Sequence, residues 1–431
     1  MICNKSKVLL LTLYKNSFKN VCFIIFAVLL LAKKMKLLRL LPYIAPLLFV
    51  SCLKEKRTLA EHRPQAAVKD TAIRIEPLEA ELNKLSWRYR YSKRNKIDNF
   101  YDNLWKRNDL SGGFLVAKNG QILYEDYGGY ANRKTKEEID KDTPIHIASV
   151  SKVLTAAVVL KLVDRGKLAL DQKVNTILPE FPYEDITIRM LLNHRSGLPY
   201  YAYFCDDRKI WDRSMLTNQD ILDLFAKHKF DLYFLPDKKF GYCNTNYAML
   251  ALIIEKATHM NYRDAMKKIL FDPLGMHNTF VFDYKKDKET ASLSYKGNNV
   301  LYGWDFLDDV YGDKNIYSTP RDLLKFDLAT YSKEFLSPEL YEEVFKGYSY
   351  ETKGVKNYGL GIRMHEWKTG EKLFYHNGWW HGNTSSYVTL KKDTVTIIAL
   401  SNKFSYKPYK VWNLASVFGD YPVPDKDDLL E

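Results

Sequence analysis

The sequence has few cysteines and no pattern of metal ligands. Its 431 residues include five cysteines, which lack both the close paired spacing of zinc sites and the density of a disulfide framework. Cys205 and Cys243 are the two that follow the N-terminal segment, and we expect both to be free thiols. The nine histidines are scattered, and none belongs to a His-Glu-x-x-His motif. We therefore expect a protein that needs no metal and no other cofactor.

Most of the chain also lacks a basic excess, although the total net charge is +13. Residues 1–60 contain 11 lysines and arginines and a single acid, Glu55, so this segment alone carries +10. Subtracting that +10 from +13 leaves only +3 for residues 61–431. Nucleic-acid binding usually requires a basic surface on the folded domain. The distribution of charge therefore argues against a nucleic-acid partner.

The N-terminal segment lacks an apolar run long enough for a comfortable membrane span. Its two runs, residues 21–32 and 37–50, each follow lysines, as the apolar parts of export signals do. The second run follows Met35 and ends just before Cys52, an arrangement typical of a bacterial lipoprotein signal. We predict that translation starts at Met35 and that Cys52 is lipidated, so that residues 1–52 are an extension plus a signal. The alternative is an uncleaved N-terminal anchor.

Both alternatives tether the rest of the chain to a membrane of the bacterial cell envelope, facing the periplasm or the exterior. Residues 53–80 are charged and show little apolar periodicity, as expected for a tether. Over residues 81–109 the apolar side chains recur at three- and four-residue steps, which predicts a helix. We place the folded domain at residues 81–420 and a short C-terminal tail at residues 421–431.

Strand signals stand at both ends of this domain. Residues 113–124 contain two apolar runs around Asn119-Gly120, which is a strong hairpin signal. Residues 386–400 read as a second hairpin. Because the domain starts and finishes with strands, we predict an α+β fold in which N- and C-terminal strands form one antiparallel sheet flanked by helices.

Helical signals dominate between the two hairpins. They include residues 219–228, where Thr217 or Asn218 is the expected N-cap, and residues 247–258. A mainly helical second lobe is therefore predicted over roughly residues 165–310. A cleft between two lobes is a common position for an active site.

A serine and a lysine stand three residues apart at the start of a long apolar run. If a helix begins near Ser149, the amine of Lys152 lies on the same helix face as the Ser149 hydroxyl and is a candidate base for it. A helix N-terminus also directs free N–H groups and partial positive charge towards an oxyanion. The same spacing occurs at Ser51 and Lys54 in the signal, and a capping serine followed by a surface lysine would have it too.

Tyr242 and Asn244 directly precede the predicted helix at residues 247–258. A buried tyrosine beside a lysine can transfer protons, and an asparagine amide can hold both the lysine and a substrate carbonyl. The alternative interpretation is an asparagine-rich turn that caps the helix.

His376 and Gly378 follow the strand-like residues 372–375. The histidine is a candidate for binding an anionic or carbonyl group, and the glycine would let a substrate backbone approach the strand. Lys368-Thr369-Gly370 is a rival for this position, but it lies between two strand-like runs. We interpret it as a hairpin turn.

These stretches resemble, in content and order, the three motifs of the serine β-lactamase/penicillin-binding family. The resemblance is to its class C-like branch, which also contains DD-peptidases, D-aminopeptidases and esterases, and it covers residues 113–403. Three further stretches are similar to sequences of that branch. Residues 190–198 resemble LLTHTSGL, residues 272–276 resemble PLGM, and residues 316–323 resemble LYSTARDL.

The resemblance implies a role for each motif residue. Ser149 would be the acylated nucleophile, Lys152 and Tyr242 the proton-transfer pair, and Asn244 a positioning amide.

The third motif in this family directly precedes a hairpin, a position that His376-Asn377-Gly378 occupies and Lys368 does not. The main-chain N–H groups of Ser149 and Trp379 would then form the oxyanion hole. Removal of one such donor typically costs about 3 kcal/mol of transition-state stabilisation.

Two features depart from the branch. His376 replaces a lysine and so removes a permanent charge that would bind the carboxylate of a β-lactam or a peptide. Trp379 and Trp380 stand where a small residue is common, and they either narrow the cleft or pack against the helical lobe.

We therefore expect an extracytoplasmic serine hydrolase that acts through an acyl-enzyme on a small-molecule or peptide substrate, including fragments of peptidoglycan. Peptidase, amidase or esterase activity fits the His376 position better than efficient β-lactamase activity, although weak β-lactamase activity is compatible with it. The alternative is a catalytically idle binding protein of the cell envelope that keeps the fold.

Overall fold

The computed structural model describes residues 82–105, 109–207 and 209–422, all of which belong to the compact unit Ala72–Glu431. The predicted lipidation at Cys52, the tether at residues 53–80 and residues 423–431 of the tail lie outside the described residues. Within the described ranges, no helix is both long and apolar enough to cross a bilayer.

Strands in the described residues are numbered in chain order. They are β1 (Gly112–Lys118), β2 (Gln121–Gly128), β3 (Tyr130–Asn132), β4 (Glu137–Glu138), β5 (Ile145–His146), β6 (Phe280–Val281), β7 (Ile316–Ser318), β8 (Lys356–Tyr358), β9 (Arg363–Glu366), β10 (Lys372–Trp380), β11 (Asn383–Leu390) and β12 (Val395–Ser401).

Seven of these strands form an antiparallel sheet in the order β2-β1-β12-β11-β10-β9-β8. The N-terminal strand β1 pairs with β2 on one side and with the C-terminal strand β12 on the other, so the prediction of a sheet completed by both ends is confirmed. The β1–β2 turn places Asn119 at φ 50° and Gly120 at φ 71°. Two successive positive φ angles define the turn that matches strand twist, which explains the Asn-Gly pair.

Helices in the described residues are also numbered in chain order. They are α1 (Trp87–Leu104), α2 (Ser151–Asp164), α3 (Ile188–Leu192), α4 (Tyr201–Cys205), α5 (Asn218–His228), α6 (Asn244–Thr258), α7 (Tyr262–Met266), α8 (Tyr284–Asp287), α9 (Pro320–Ala329) and α10 (Pro338–Val344), together with short 3₁₀ turns, the π-helical turn Lys267–Phe271 and the 3₁₀ helix Lys407–Val417.

The predicted helices are present with adjusted ends. Helix α1 is shorter than the interval 81–109, because it begins where the Ser86 side chain accepts the Tyr89 N–H at 3.2 Å. Helix α5 begins after Thr217, whose hydroxyl and the Asp220 carboxylate form a reciprocal capping box. Helices also predominate over strands between residues 165 and 310, which hold helices α3 to α8, the 3₁₀ turn Val174–Thr176, the π-helical turn Lys267–Phe271, loops and the two-residue strand β6.

Each face of the large sheet packs against helices. Alternate residues of β1 belong to different cores: Leu115 packs on the side of α2 and α6, whereas Phe114 and Val116 pack on the side of α1 and the C-terminal 3₁₀ helix. Helix α2 is apolar on nearly its whole circumference and is buried from Ser151 to Leu162, as expected for the central helix of a core. The start of this buried helix lies beside β10 and fixes the position of the candidate site.

Candidate active site

Ser149 lies in a 3₁₀ turn, Ala148–Val150, that leads directly into α2. It is partly exposed between two buried neighbours. Ala148 has φ 48°, a left-handed conformation that is unfavourable for a residue with a side chain. Its N–H donates to Nδ1 of His146 at 3.0 Å, and Nε2 of His146 lies 2.9 Å from Oδ1 of Asn315. The histidine and asparagine therefore hold the strained turn that presents the serine.

Lys152 is fully buried on the first turn of α2. Its Nζ lies 3.0 Å from Oγ of Ser149 and 2.7 Å from the main-chain oxygen of Asp313. The predicted contact between the lysine and the serine is thus present in the structure. Asp313 supplies a second, unforeseen contact for the amine.

Tyr242 is placed among three basic groups just before α6. Its ring centroid lies 5.1 Å from Nζ of Lys152 and 4.6 Å from Cζ of Arg363. On another side the ring of His194 lies 4.4 Å away. Tyr242 therefore lies beside both the candidate base Lys152 and the guanidinium of Arg363.

Asn244 is the first residue of α6. Its Nδ2 donates to the Tyr200 hydroxyl at 2.9 Å, and its buried Oδ1 has no hydrogen-bond partner among the described residues. The expected contact between this amide and Lys152 is replaced by the contact between Lys152 and Asp313. An acceptor without a partner is consistent with a role in holding a substrate N–H.

His376 lies inside β10 and not after it, and it is fully buried. Its Nδ1 is 2.8 Å from the carbonyl oxygen of Asn377, and its Nε2 is 3.2 Å from the Tyr358 hydroxyl. Burial holds the pKa of His376 well below its usual value, and the charge of Arg363 adds to this effect. The ring is therefore neutral, and both nitrogens contact the protein and not the cleft.

Gly378 lies against the turn that contains the nucleophile. A Cβ atom at this position would lie 2.5 Å from the carbonyl oxygen of Ile147 and 3.0 Å from Cβ of Ala148. The missing side chain thus leaves room for this turn, and the approach of a substrate backbone stays a prediction. This close packing brings Ser149 next to the part of β10 that contains Trp379.

The two tryptophans of β10 have different surroundings. Trp379 is 64% exposed, and its Nε1 donates to the carbonyl oxygen of His381 at 2.9 Å. Trp380 points the other way, and its Nε1 donates to Oδ1 of Asp308 at 2.6 Å. Trp380 therefore packs against the helical lobe, whereas the Trp379 indole is held by its edge with its surface open to solvent.

Three residues that sequence reasoning did not assign complete the surroundings of Tyr242. Buried His194 accepts the Cys243 N–H at Nδ1, and burial holds its pKa well below the usual value. Tyr358 binds His376. Arg363 has no Asp or Glu oxygen within 4.0 Å in the described part of the chain. The stretch at residues 190–198 contains His194, so that signal was available, whereas nothing in the sequence distinguishes Arg363 from other arginines.

Two other predictions, a turn at Lys368-Thr369-Gly370 and free thiols at Cys205 and Cys243, are confirmed by the structure. Lys368-Thr369-Gly370 forms the turn between β9 and β10, where Gly370 has φ 88°. Cys205 and Cys243 are buried free thiols. Among the residues described, no group of His, Cys, Asp or Glu side chains is arranged to hold a metal ion.

The fold and the Ser149–Lys152–Tyr242 arrangement define a serine hydrolase. The family model for β-lactamase matches residues 97–416, and the chain belongs to this family, as the sequence motifs predicted. Penicillin-binding protein 4* of Bacillus subtilis (strain 168) is 32% identical over 361 residues, which cover 78% of each chain.

Solved structures share the fold. A penicillin-binding protein from Bacillus halodurans has a TM-score of 0.64 and 22% identity, and the match covers 74% of this chain and 98% of that one. A D-amino acid amidase from Ochrobactrum anthropi SV3 in complex with L-phenylalanine has a TM-score of 0.59 and 25% identity, covering 72% and 91%.

Proposed function

We propose that this protein hydrolyses amide or ester substrates through an acyl-enzyme on Ser149. The observation that carries the proposal is the 3.0 Å contact between Oγ of Ser149 and Nζ of buried Lys152. A nucleophile within hydrogen-bond reach of its base is the arrangement that covalent catalysis requires.

In acylation, the free amine of Lys152 accepts the proton of the Ser149 hydroxyl while Oγ attacks the substrate carbonyl carbon. The carbonyl oxygen takes the negative charge, which the main-chain N–H groups of Ser149 and Trp379 stabilise. The leaving group departs with a proton delivered by Lys152 and Tyr242. Water then attacks the ester carbonyl and gives a proton to the same pair. The bond between Oγ and the acyl carbon breaks, and the pair returns the proton to Oγ, which releases the acid product and restores the Ser149 hydroxyl.

The shape of the site favours a peptide-like substrate. Pairing between β9 and β10 ends at Tyr375, so the following residues of β10 pair only with β11 in the described part of the chain. An unpaired strand edge can bind an extended backbone by main-chain hydrogen bonds. The edge lies beside Ser149, so a substrate held there would present its carbonyl group to the nucleophile.

Arg363 supports a substrate that carries a carboxylate. Its guanidinium has no anionic partner among the described residues and lies beside Tyr242, so an incoming carboxylate would supply the missing counter-charge. This cation compensates for the lysine that His376 replaces. Two similar proteins are D-aminopeptidases, from Cereibacter sphaeroides and Brucella anthropi, which agrees with D-configured peptides as substrates.

Intact-protein mass spectrometry with a fluorophosphonate probe tests the nucleophile. Wild-type protein should gain one adduct, and Ser149→Ala should gain none. Ser416→Ala is the control, because it alters an exposed serine of the same domain and should keep the adduct. Labelling that persists in Ser149→Ala, or a wild-type protein that no acylating probe labels, would contradict the proposal.

A panel of D-Ala-D-Ala peptides, the corresponding amides and short p-nitrophenyl esters tests the substrate class. We expect Arg363→Met to lower kcat/KM for the carboxylate-bearing peptides at least tenfold more than for the esters. An equal loss for both would argue against carboxylate binding.

We further propose that the enzyme is a lipoprotein of the cell envelope, facing the periplasm or the exterior. The support is the sequence from Met35 to Cys52, with its lysine, its apolar run and the small residue before the cysteine. Mass spectrometry of the membrane-extracted protein should find a lipid-modified Cys52 as the first residue. Any other N-terminus rules out this processing.

A further inference from the structure

Two buried lysines and one buried aspartate lie next to each other behind Ser149. Lys152 and Asp313 are fully buried, and Lys314 is 2% exposed. Taking three charged groups out of water is unfavourable unless their charges are paired. With a single carboxylate, one ammonium can be paired and the other cannot.

The contacts of Asp313 show which lysine is paired with its carboxylate. Oδ2 of Asp313 accepts the Tyr201 hydroxyl at 2.9 Å and forms an ion pair with Nζ of Lys314 at 3.6 Å, while its Oδ1 has no hydrogen-bond partner among the described residues. Nζ of Lys314 also donates to the Tyr201 oxygen at 2.7 Å and lies 4.7 Å from the Trp380 ring centroid. Nζ of Lys152 contacts Asp313 only at its main-chain oxygen, and in the described ranges no carboxylate oxygen lies within 4.0 Å of this nitrogen.

The other groups that face Lys152 provide no negative charge. Burial raises the pKa values of Tyr247 and Cys243 and lowers those of His194 and His376, so all four are neutral near pH 7. The ring of Tyr242 lies close by, and Arg363 beyond it is a cation. An ammonium at Lys152 would therefore be buried with positive neighbours and without a counter-ion.

Lys314 has the opposite surroundings. Burial lowers its pKa, but the carboxylates of Asp313 and Asp308 both act to raise it. Buried Asp308 in turn binds Trp380 and lies 3.1 Å from Nε2 of His381. The remaining titratable neighbour is His146, whose pKa burial lowers to about 4, so it is neutral.

We propose that Lys314 is a positioning residue for catalysis: it forms the ion pair with the Asp313 carboxylate, so that the amine of Lys152 is left without a carboxylate partner and is available to accept the Ser149 proton. The inference rests on the acyl-enzyme function proposed above. It assigns a function to the side-chain cluster of Lys314, Tyr201 and Asp313, which is linked to Ser149 only through Lys152. It also explains how a buried lysine beside a buried aspartate can act as a base.

The pH dependence of kcat/KM tests this assignment. Lys314→Met leaves Asp313 without its cation, so the carboxylate becomes the counter-ion of Lys152 and stabilises its protonated form. We expect the acidic limb of the kcat/KM profile to shift to a pH at least one unit higher. On that limb kcat/KM should be at least tenfold lower than in the wild type, and it should return to the wild-type value at higher pH. The double variant Lys314→Met/Asp313→Asn, which has no carboxylate, should return the limb to the wild-type position.

Lys161→Met is the matched control. Lys161 is another buried lysine of α2, but its Nζ binds the Phe335 carbonyl oxygen at 3.1 Å at the far end of the helix. This variant should keep the wild-type profile. Lys314→Arg, which preserves the charge, should also keep it.

The outcomes separate this inference from the proposed function. An active Lys314→Met enzyme with an unchanged acidic limb, or a double variant whose limb stays high, overturns the role of Lys314. If Lys314→Met does not fold, Asp313→Asn provides the test, since its limb must lie at or below that of the wild type; an upward shift rejects the inference. Wild-type turnover that does not depend on Ser149 contradicts the acyl-enzyme function instead.

Discussion

The main-chain N–H of Ala148 donates a hydrogen bond to Nδ1 of His146 over 3.0 Å, so the residue before the nucleophile is held by a neutral histidine. Burial lowers the pKa of His146 to about 4, from 6.5. The unfolded chain therefore binds this proton at a higher pH than the native state does. The contribution of neutral His146 to the free energy of unfolding is therefore present above pH 6.5 and is lost as the pH falls from 6.5 towards 4.

We expect this one group to remove roughly 3 kcal/mol of unfolding free energy between pH 6.5 and 4. Urea denaturation at a series of pH values measures the effect, and His146→Gln, which cannot titrate, should show a correspondingly flatter dependence. His259 is a suitable control because it is exposed, and His259→Gln should keep the wild-type slope. Equal slopes for wild type and His146→Gln would show that His146 does not control the acid sensitivity.

Gly378→Ala should separate the nucleophile turn from β10. The added Cβ would lie 2.3 Å from Oγ of Ser385 and 2.5 Å from the Ile147 carbonyl oxygen, so one of the two must move. We expect a loss of about 1–3 kcal/mol in stability and at least a tenfold loss in kcat/KM, because the oxyanion hole depends on this contact.

Gly303→Ala is the matched control for that substitution, since a Cβ there meets nothing within 4 Å. It should change neither the urea midpoint nor the rate of hydrolysis of a p-nitrophenyl ester. If Gly378→Ala behaves like Gly303→Ala, the turn is less tightly packed on the strand than the structure indicates.

Local sequence was sufficient to predict much of the fold. Asn119-Gly120 specifies a hairpin because few other residues adopt two successive positive φ angles, and Thr217 specifies a helix start because its side chain satisfies an otherwise free N–H. Each of these signals determines the structure of residues only a few positions away along the chain. The motifs around Ser149 and Tyr242 were recognisable for the same reason.

The partners of those motifs could not be predicted, because tertiary structure brings them from distant parts of the chain. Asp313 is 161 positions from Lys152, whose amine it binds, and it follows no local pattern that would mark it. The packing of Gly378 on the turn at Ala148 could not be predicted for the same reason, since that turn is more than 200 residues earlier. Spacing along a sequence shows which side chains share an element, and only the packed structure shows which elements meet.

The two neighbouring tryptophans should respond differently to substitution. Trp379 is proposed to act through its main-chain N–H, and its indole is mostly exposed, so Trp379→Ala should alter kcat/KM for a small ester by less than about threefold. Trp380→Phe removes the donor that binds buried Asp308 at 2.6 Å and should lower stability by roughly 1–3 kcal/mol.

Steady-state kinetics and urea denaturation of both variants, performed in parallel, test this contrast. A large rate loss in Trp379→Ala on a small ester would mean that the indole itself contacts the reacting group. A Trp380→Phe protein as stable as the wild type would mean that the bond to Asp308 contributes little.

A second buried ion pair, remote in sequence, holds helix α9 to the sheet. Oδ1 of Asp327 lies 2.9 Å from Nζ of Lys391 and accepts the Tyr387 hydroxyl at 2.6 Å. Lys391→Met would leave the fully buried Asp327 carboxylate without its cation, and we expect a loss of about 3 kcal/mol in unfolding free energy.

Adding Asp327→Asn to the Lys391→Met variant removes the unpaired charge and should restore at least half of that loss. Urea denaturation of the two single variants and the double variant forms a double-mutant cycle. Strict additivity of the two losses would show that the pair has no coupling and that α9 is held by apolar packing alone.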